Sequence, residues 1–367
     1  MKTKAAVVFE PGRPWEVVEL ELDPPKAGEV QVRFVAAGLC HSDEYMRLGE
    51  LRPRYPLVGG HEGAGVIEAV GEGVTGLSVG DPVVCSFRPA CGRCRFCAMG
   101  KSNLCDEGAR LFEGSLPDGT FRFHHGDLDV GANAMLGTFS ERAVVPAFSC
   151  IKVAEDLPLT SMAMLGCAVP TGWGAAVHSG DVRPGEVVVV LGSGGVGINA
   201  VQGARMAGAA ETVVVDPVQD KLEIAKKLGA TRTATTADEA KEIVQELTGG
   251  HGADKAIVTA GVPGLAESGF SMLRKGGTLV LAGMGNADTL RLDLPVSLIA
   301  RADMRIVGSA MGSCNFQIDI PRLISLYRSG DLRLDELVSG TYALDDISLG
   351  YEDMYSGKNL RGVILFD

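Results

Sequence analysis

Residues 187–197 read V-V-V-V-L-G-S-G-G-V-G, and this run narrows the possible folds more than any other stretch of the chain. Five apolar residues without alternation make a strand buried on both faces, as in a parallel sheet. Glycines at 192, 194 and 197 then form G-x-G-x-x-G ahead of a helix expected at about 195–208. Strand, turn and helix in that order are the context the motif requires. Gly192 permits the tight turn, Gly194 lets a pyrophosphate approach the backbone, and Gly197 lets the helix pack on the sheet. The helix N-terminus then faces the anion. Strands near 212–216, 231–234, 255–260, 277–283 and 305–310 alternate with helices near 218–230, 237–249 and 264–274. That rhythm predicts a doubly wound α/β domain.

The second strand ends in Asp216, nineteen residues after Gly197. A carboxylate there accepts hydrogen bonds from ribose hydroxyls and repels a 2′-phosphate. Pro217 and Val218 follow, with no Arg to hold that phosphate, so the pattern favours NAD over NADP. Simple capping of the next helix is the competing reading of Asp216.

Residues 1 to about 90 have another texture. Short runs such as KAAVVF, WEVVELEL and EVQVRFVAAG alternate with a period of two and are punctuated by Gly, Pro and Asp. They predict an antiparallel barrel or sandwich that opens with a strand hairpin. Residues 106–138 are polar, Gly-rich and weakly patterned, and are expected to form a long surface excursion. The tail from about 311 carries one helix and a last strand, and is expected to return to the first domain.

Four of the nine cysteines, Cys91, Cys94, Cys97 and Cys105, fall within fifteen residues. An odd cysteine count without a signal-peptide pattern argues against a disulfide framework and for a chain that stays in the cytoplasm. Four close thiolates suit one tetrahedral ion. Zinc fits, and an iron–sulfur cluster is the rival. With every ligand from protein, such a site is a structural staple with no position for substrate. A second set, Cys40, His61, Glu62 and Cys167, is dispersed. Any one of these residues alone reads as core, but two cysteines and a histidine make a catalytic zinc set with a fourth position open. The net charge of −12 and the absence of basic runs exclude nucleic-acid binding through phosphate neutralisation. No apolar run is long enough for a membrane span.

Together G-H-E-x2-G at Gly60–Gly65, the four-cysteine lobe, Gly166-Cys167 and the glycine loop resemble the zinc-dependent medium-chain dehydrogenase/reductase family, the alcohol dehydrogenases. The resemblance covers essentially the whole chain. It implies a GroES-like β-barrel catalytic domain over 1–170 and 311–367, and an NAD-binding Rossmann domain with a parallel sheet over 171–310. It implies two zinc ions per subunit. One is catalytic on Cys40, His61 and Cys167, with Glu62 as an alternative ligand, and one is structural on Cys91, Cys94, Cys97 and Cys105. Asp43 matches the acid that orients the ligand histidine, and Ser42 the hydroxyl that takes the alcohol proton. His41 and Arg361 match positions facing the coenzyme pyrophosphate, Lys221 one beside the adenosine, and Thr171 one near the nicotinamide. Gly195, Val196, Gly283 and Met284 complete the coenzyme contacts. Tyr45 stands where many members place a relay histidine, and a phenol of ordinary pKa is a poor base at neutral pH. Ser42, Leu51, Phe87, Leu136 and Met284 match the substrate pocket. The set is mainly apolar, which favours a primary alcohol with an aliphatic or aromatic tail.

Strings such as ACGRCRFC, VPTGWG, GGVGINAVQGAR and GKNLRGVI resemble the nicotinoprotein branch, whose members use N,N-dimethyl-4-nitrosoaniline as an artificial acceptor. That branch implies an NAD held so tightly that it is reoxidised in place by a redox carrier such as mycofactocin. A homo-oligomer joined through the coenzyme domains is also implied. Two alternatives stand beside it. PDGTFRF resembles the glutathione-dependent formaldehyde dehydrogenases, although Leu51 and Ala109 stand where those hold the adduct, with Arg110 one residue away. A coenzyme-binding structural or sensor protein is the reading outside enzymes.

Overall fold

The computed structural model describes every residue except Ala287 and Asp367. The chain divides into two compact units. The first comprises Met1–Cys167, Asn315–Ser325 and the chain from Leu334 on, and the second comprises Ala168–Cys314 and Leu326–Arg333.

The first unit opens with β1 (Lys2–Val8), β2 (Glu16–Leu22), β3 (Glu29–Gly38), β4 (Leu57–Val58), β5 (Gly63–Val70) and β6 (Pro82–Cys85). There follow β7 (Phe123–His125), β8 (Leu128–Ala132), β9 (Arg142–Pro146) and β10 (Cys150–Lys152). β1 and β2 form the expected hairpin, pairing antiparallel from Lys2 opposite Glu21 to Val7 opposite Glu16. Alternation puts Val7, Leu20 and Leu22 in a core shared with Val32, Phe34 and Phe123.

The excursion over 106–138 departs from expectation. It supplies β7 and β8, which close a barrel in the order β1-β2-β7-β8-β4, and it buries Leu111, Leu116, Phe123, Val130 and Met135. These strands have three and five residues and are joined by a turn at Gly126, with φ of 59°. Runs that short carry too few repeats for alternation to stand out.

The second unit holds β11 (Val187–Leu191), β12 (Glu211–Val215), β13 (Arg232–Ala234), β14 (Ala253–Val258), β15 (Leu273–Leu281) and β16 (Arg305–Gly308). All pair in parallel, in the order β13-β12-β11-β14-β15-β16. The order reverses between β11 and β14, which is where doubly wound sheets bind nucleotides. Helices Gly195–Met206, Gln219–Leu228, Ala237–Leu247 and Leu265–Ser271 fill the crossovers.

β17 (Val338–Tyr342) and β18 (Arg361–Leu365) return to the first unit, where β18 pairs with β3. The division differs in detail from the one the resemblance implies, whose last residue, Asp367, lies outside the described residues. Residues 168–170 and 311–314 fall in the second unit because helix Ala168–Gly174 packs tightly on Gly312, so that a Cβ on Gly174 would stand 2.2 Å from the Gly312 oxygen. Segment Leu326–Arg333 also belongs there. The Gln202 amide donates to the Arg333 carbonyl at 3.1 Å and accepts from the Arg333 N–H at 2.8 Å.

Candidate active site

Three loops of the first unit converge on one buried cluster. Cys40 leaves β3 as the N-cap of helix His41–Arg47, with an extended backbone. His61 and Glu62 fill the gap between β4 and β5. Cys167 follows the tight turn Ala163–Gly166. The ligand atoms of Cys40, His61, Glu62 and Cys167 all lie within 4.8 Å of one another, and all four residues are buried.

Gly60 shows why the G-H-E string is needed. Its φ is +85°, and a Cβ there would stand 2.4 Å from Thr138 Oγ1 and 2.5 Å from the Phe139 ring. The bare backbone N–H instead donates to Asp43 Oδ1 at 2.9 Å. Asp43 Oδ2 lies 3.0 Å from His61 Nδ1, and neither atom has another partner among the described residues. The carboxylate thus fixes the imidazole and leaves Nε2 for the cysteines, as buried acids do behind ligand histidines.

The charges are those of a cation site. Cys40 is held well below the ordinary thiol range by the Cys167 thiol, against burial, with His61 helping. Cys167 is pushed up by the Cys40 sulfur and by burial, because two adjacent thiols do not both ionise unaided. His61 stays well above its usual value: burial lowers it, but Asp43 and Cys40 outweigh burial. Burial pushes Glu62 up to about 7 against the pull of Arg361. Arg361 Nη2 donates to Glu62 Oε2, while the buried Oε1 has no partner among the described residues. A divalent cation exchanges such protons for its own charge, so the donor set fits zinc.

The four-cysteine lobe passes a sharper test. Its sulfurs also lie within 4.8 Å of one another. The Cys91–Cys97 separation is 4.0 Å and the Cys94–Cys105 separation 3.9 Å. A tetrahedron with zinc–sulfur bonds of about 2.3 Å has edges of about 3.8 Å. Sulfurs that close leave room for one ion and none for a multi-iron cluster. The backbone N–H groups of Cys97 and Asp106 hold the Cys94 thiol down to about 6. Beyond the lobe, Ser102 Oγ donates to Asn315 Oδ1 at 3.2 Å and accepts from the Phe316 N–H, so the loop is tied to the returning tail.

The second unit builds a different site. Thr259 Oγ1, just past β14, donates to the carbonyls of Leu191 and Gly192 at 3.0 Å each and pins the glycine turn. A Cβ on Gly197 would stand 1.9 Å from the Gly192 oxygen, whereas one on Gly194 would meet nothing within 4 Å. One glycine is therefore needed for packing, and the other faces open space where a phosphate can come close. The buried Ser193 hydroxyl at the same turn has no partner among the described residues. Asp216 accepts from the Ser193 N–H at 2.8 Å and the Val218 N–H at 3.0 Å, so it does cap locally, with a lone pair left on each oxygen. Lys221 lies in the first turn of the next helix. Gly195 and Val196 open the helix Gly195–Met206. Gly283 packs against the Ala260 backbone. Thr171 is buried, its hydroxyl without a partner among the described residues, and Met284 is exposed. These features fit a dinucleotide.

Other expected residues divide. Ser42 Oγ lies 3.7 Å from Cys40 Sγ. His41 is exposed, with its ring 5.9 Å from that of Tyr355. Tyr45 is half-buried, and burial and Glu50 push its pKa further up. Phe87 meets the His61 ring edge-on at 5.5 Å. Leu136, expected in the pocket, has no exposed surface and packs in the barrel core instead. Arg110 pairs with Glu113 at 3.2 Å and Glu107 at 3.8 Å on the surface of the excursion.

Sequence reasoning missed Asn133, whose Nδ2 donates to Asp43 Oδ1 at 2.7 Å from inside the excursion. It also missed Glu44, a buried carboxylate that accepts from Trp15 Nε1 at 2.9 Å and from two nitrogens of Arg47, anchoring the helix that carries Ser42 and Asp43.

Comparison with known proteins adds the family. The model for the alcohol dehydrogenase GroES-like domain matches residues 26–155, and that for zinc-binding dehydrogenases matches 195–329. The chain is 52% identical over 367 residues to the NDMA-dependent alcohol dehydrogenase of Amycolatopsis methanolica, covering 100% of this chain and 99% of that one. The crystal structure of benzyl alcohol dehydrogenase from Acinetobacter calcoaceticus superposes with a TM-score of 0.93 at 32% identity, covering 100% of both chains. An alcohol dehydrogenase zinc-binding domain protein from Burkholderia ambifaria gives 0.94 at 33%, covering 100% of this chain and 99% of its own. Among the described residues no helix is long and apolar enough to cross a membrane. The chain belongs to the zinc-dependent alcohol dehydrogenases of the medium-chain dehydrogenase/reductase family, on a nicotinoprotein-like branch, and is an oxidoreductase of alcohols.

Proposed function

We propose that the protein oxidises primary alcohols to aldehydes with a resident NAD and two zinc ions, and that an external acceptor restores the NAD. The observation that carries the chemical site is the buried set Cys40, His61 and Cys167 with its ligand atoms within 4.8 Å. When bound there, zinc supplies Lewis acidity to an alcohol oxygen and NAD a hydride acceptor.

The chain's own residues do the rest. Asp43 holds the His61 tautomer, and Asn133 and Gly60 hold Asp43. Ser42, beside Cys40, takes the hydroxyl proton. Tyr45 is a poor next acceptor because its pKa lies above the ordinary phenol value, so the proton leaves through water or His41. Leu51 and Phe87 wall the site with apolar surface and strengthen its electrostatics by keeping water out. The Cys91–Cys105 lobe holds its zinc as a staple.

Asp216 at the end of β12 supports NAD over NADP. Retention and reoxidation in place rest on likeness to the NDMA-dependent relative. A small redox carrier of the mycofactocin kind is the natural acceptor in this reading, and nitrosoaniline a substitute. A homo-oligomer joined through the second units belongs to the same reading. It is supported by β16, the sheet's edge strand, which exposes Ile306. The test is turnover of benzyl alcohol with nitrosoaniline and no added coenzyme, abolished in Cys40→Ser. A requirement for added NAD would remove the nicotinoprotein part. Turnover that survives Cys40→Ser would remove the zinc site.

A further inference from the structure

Arg88 stands near the ligand cluster, and no carboxylate among the described residues forms an ion pair with it. It follows Phe87, and its guanidinium carbon lies 5.4 Å from the centre of that ring. The same ring meets the His61 imidazole at 5.5 Å. On another side the guanidinium reaches the turn Asp106–Phe112, where a Cβ on Gly108 would stand 3.2 Å from Nη1. Nε is buried and has no hydrogen-bond partner among the described residues.

The other deeply set arginines differ. Arg122 holds Glu29, Arg361 holds Glu62 and Arg47 holds Glu44. For Arg88, burial lowers the pKa, against the pull of the Cys167 sulfur, which raises it. The nearby acid Glu107 is engaged by Arg93 at 3.1 Å and Arg110 at 3.8 Å. A half-buried cation without a counterion is costly to keep. It is well placed for a ligand that brings the anion, since a guanidinium forks onto a carboxylate with two parallel hydrogen bonds.

We propose that Arg88 determines specificity by binding a carboxylate at the far end of the substrate, so that the preferred substrates are primary alcohols or aldehydes carrying a carboxylate on an aromatic or aliphatic spacer. The proposal rests on the reading of Cys40, His61 and Cys167 as the place of the alcohol oxygen. Phe87, whose ring meets both the imidazole and the guanidinium, is the wall for the spacer. One guanidinium matches one carboxylate charge, and the carboxylate takes no part in the hydride step.

The experiment compares kcat/KM for 4-(hydroxymethyl)benzoate with that for 4-methylbenzyl alcohol, using nitrosoaniline as acceptor. The comparison is made in the unaltered protein, Arg88→Leu and Arg88→Lys. The ratio cancels general damage to the site. The unaltered protein should favour the carboxylate. Arg88→Leu should lower the ratio roughly 10- to 100-fold, mainly through KM, and Arg88→Lys should keep part of it. Should the variants fail to fold, inhibition of the unaltered protein decides: benzoate should compete better than benzamide, with the gap narrowing as salt rises. An unaltered protein that prefers the neutral alcohol overturns the proposal alone. So does an unchanged ratio in Arg88→Leu, or a variant that loses zinc with its ratio intact. Absence of turnover with both alcohols overturns the reading of the metal site as well.

Discussion

Replacing Asp43 with Asn changes one atom and forces a choice on the site. The side chain is fully buried. Oδ1 accepts from Gly60 N–H at 2.9 Å and from Asn133 Nδ2 at 2.7 Å, and Oδ2 faces His61 Nδ1 at 3.0 Å. An Asn has one acceptor oxygen for three donors. If that oxygen stays with Gly60 and Asn133, the new NH2 faces Nδ1. The imidazole must then move its proton to Nε2, the nitrogen left for the metal. If the amide is turned over, its NH2 meets two donors and leaves them unsatisfied, at about 1–3 kcal/mol each. Loss of the carboxylate behind a ligand histidine costs about 10- to 100-fold in metal affinity, or about 1.4–2.7 kcal/mol.

The assay is zinc release to excess colorimetric chelator. If both cysteine-bearing clusters hold zinc as proposed, the unaltered protein should lose two ions in separate phases. Asp43→Asn should speed one phase by about that factor, leave the four-cysteine phase unchanged, and lower kcat/KM in parallel. Identical release in both phases, with kcat/KM within about twofold, would refute the role given to Asp43 in fixing the tautomer.

The two glycines of the coenzyme turn should separate packing from binding. Gly197→Ala sets a Cβ 1.9 Å from the Gly192 oxygen and should lower Tm, whereas Gly194→Val enters open space and should weaken coenzyme binding with Tm little changed. Asp216→Ser removes the acid opposite a 2′-phosphate, so the ratio of NADP to NAD bound by protein stripped of its coenzyme and reloaded from an equal mixture should rise about tenfold or more over that of the unaltered protein; an unchanged ratio of bound coenzymes would assign Asp216 to capping alone. Cys94→Ser should cost one zinc per subunit and lower Tm by more than about 5 °C, with little change in kcat for the protein still folded, as read by metal analysis, calorimetry and initial rates.

Long periodic segments and fixed-spacing motifs were legible in the sequence. β11 and its glycine turn, the hairpin of β1 and β2, and the four-cysteine lobe all lie within short stretches whose local chemistry decides them. The excursion was not legible. β7 and β8 are short, and they become strands only by pairing with β2 and β4, which lie far off in the chain. Asn133 was hidden for the same reason, since its bond to Asp43 spans ninety residues and a lone Asn has no motif. Arg88 was missed because what sets it apart is the lack of a partner, a property of the packed structure only. Leu136 was placed in the pocket by likeness alone, and the barrel core absorbed it. The tail's crossing near Arg333 depends on one amide, that of Gln202, more than a hundred residues earlier.

The most direct measurement is the near-ultraviolet spectrum of freshly purified protein before and after adding benzyl alcohol, with no coenzyme supplied. With a resident NAD, the absorbance band of reduced nicotinamide should appear at once and fade on addition of nitrosoaniline, as hydride passes to the coenzyme and on to the acceptor. A band that appears only when NAD is supplied would rule out a resident coenzyme and leave an ordinary, coenzyme-exchanging alcohol dehydrogenase.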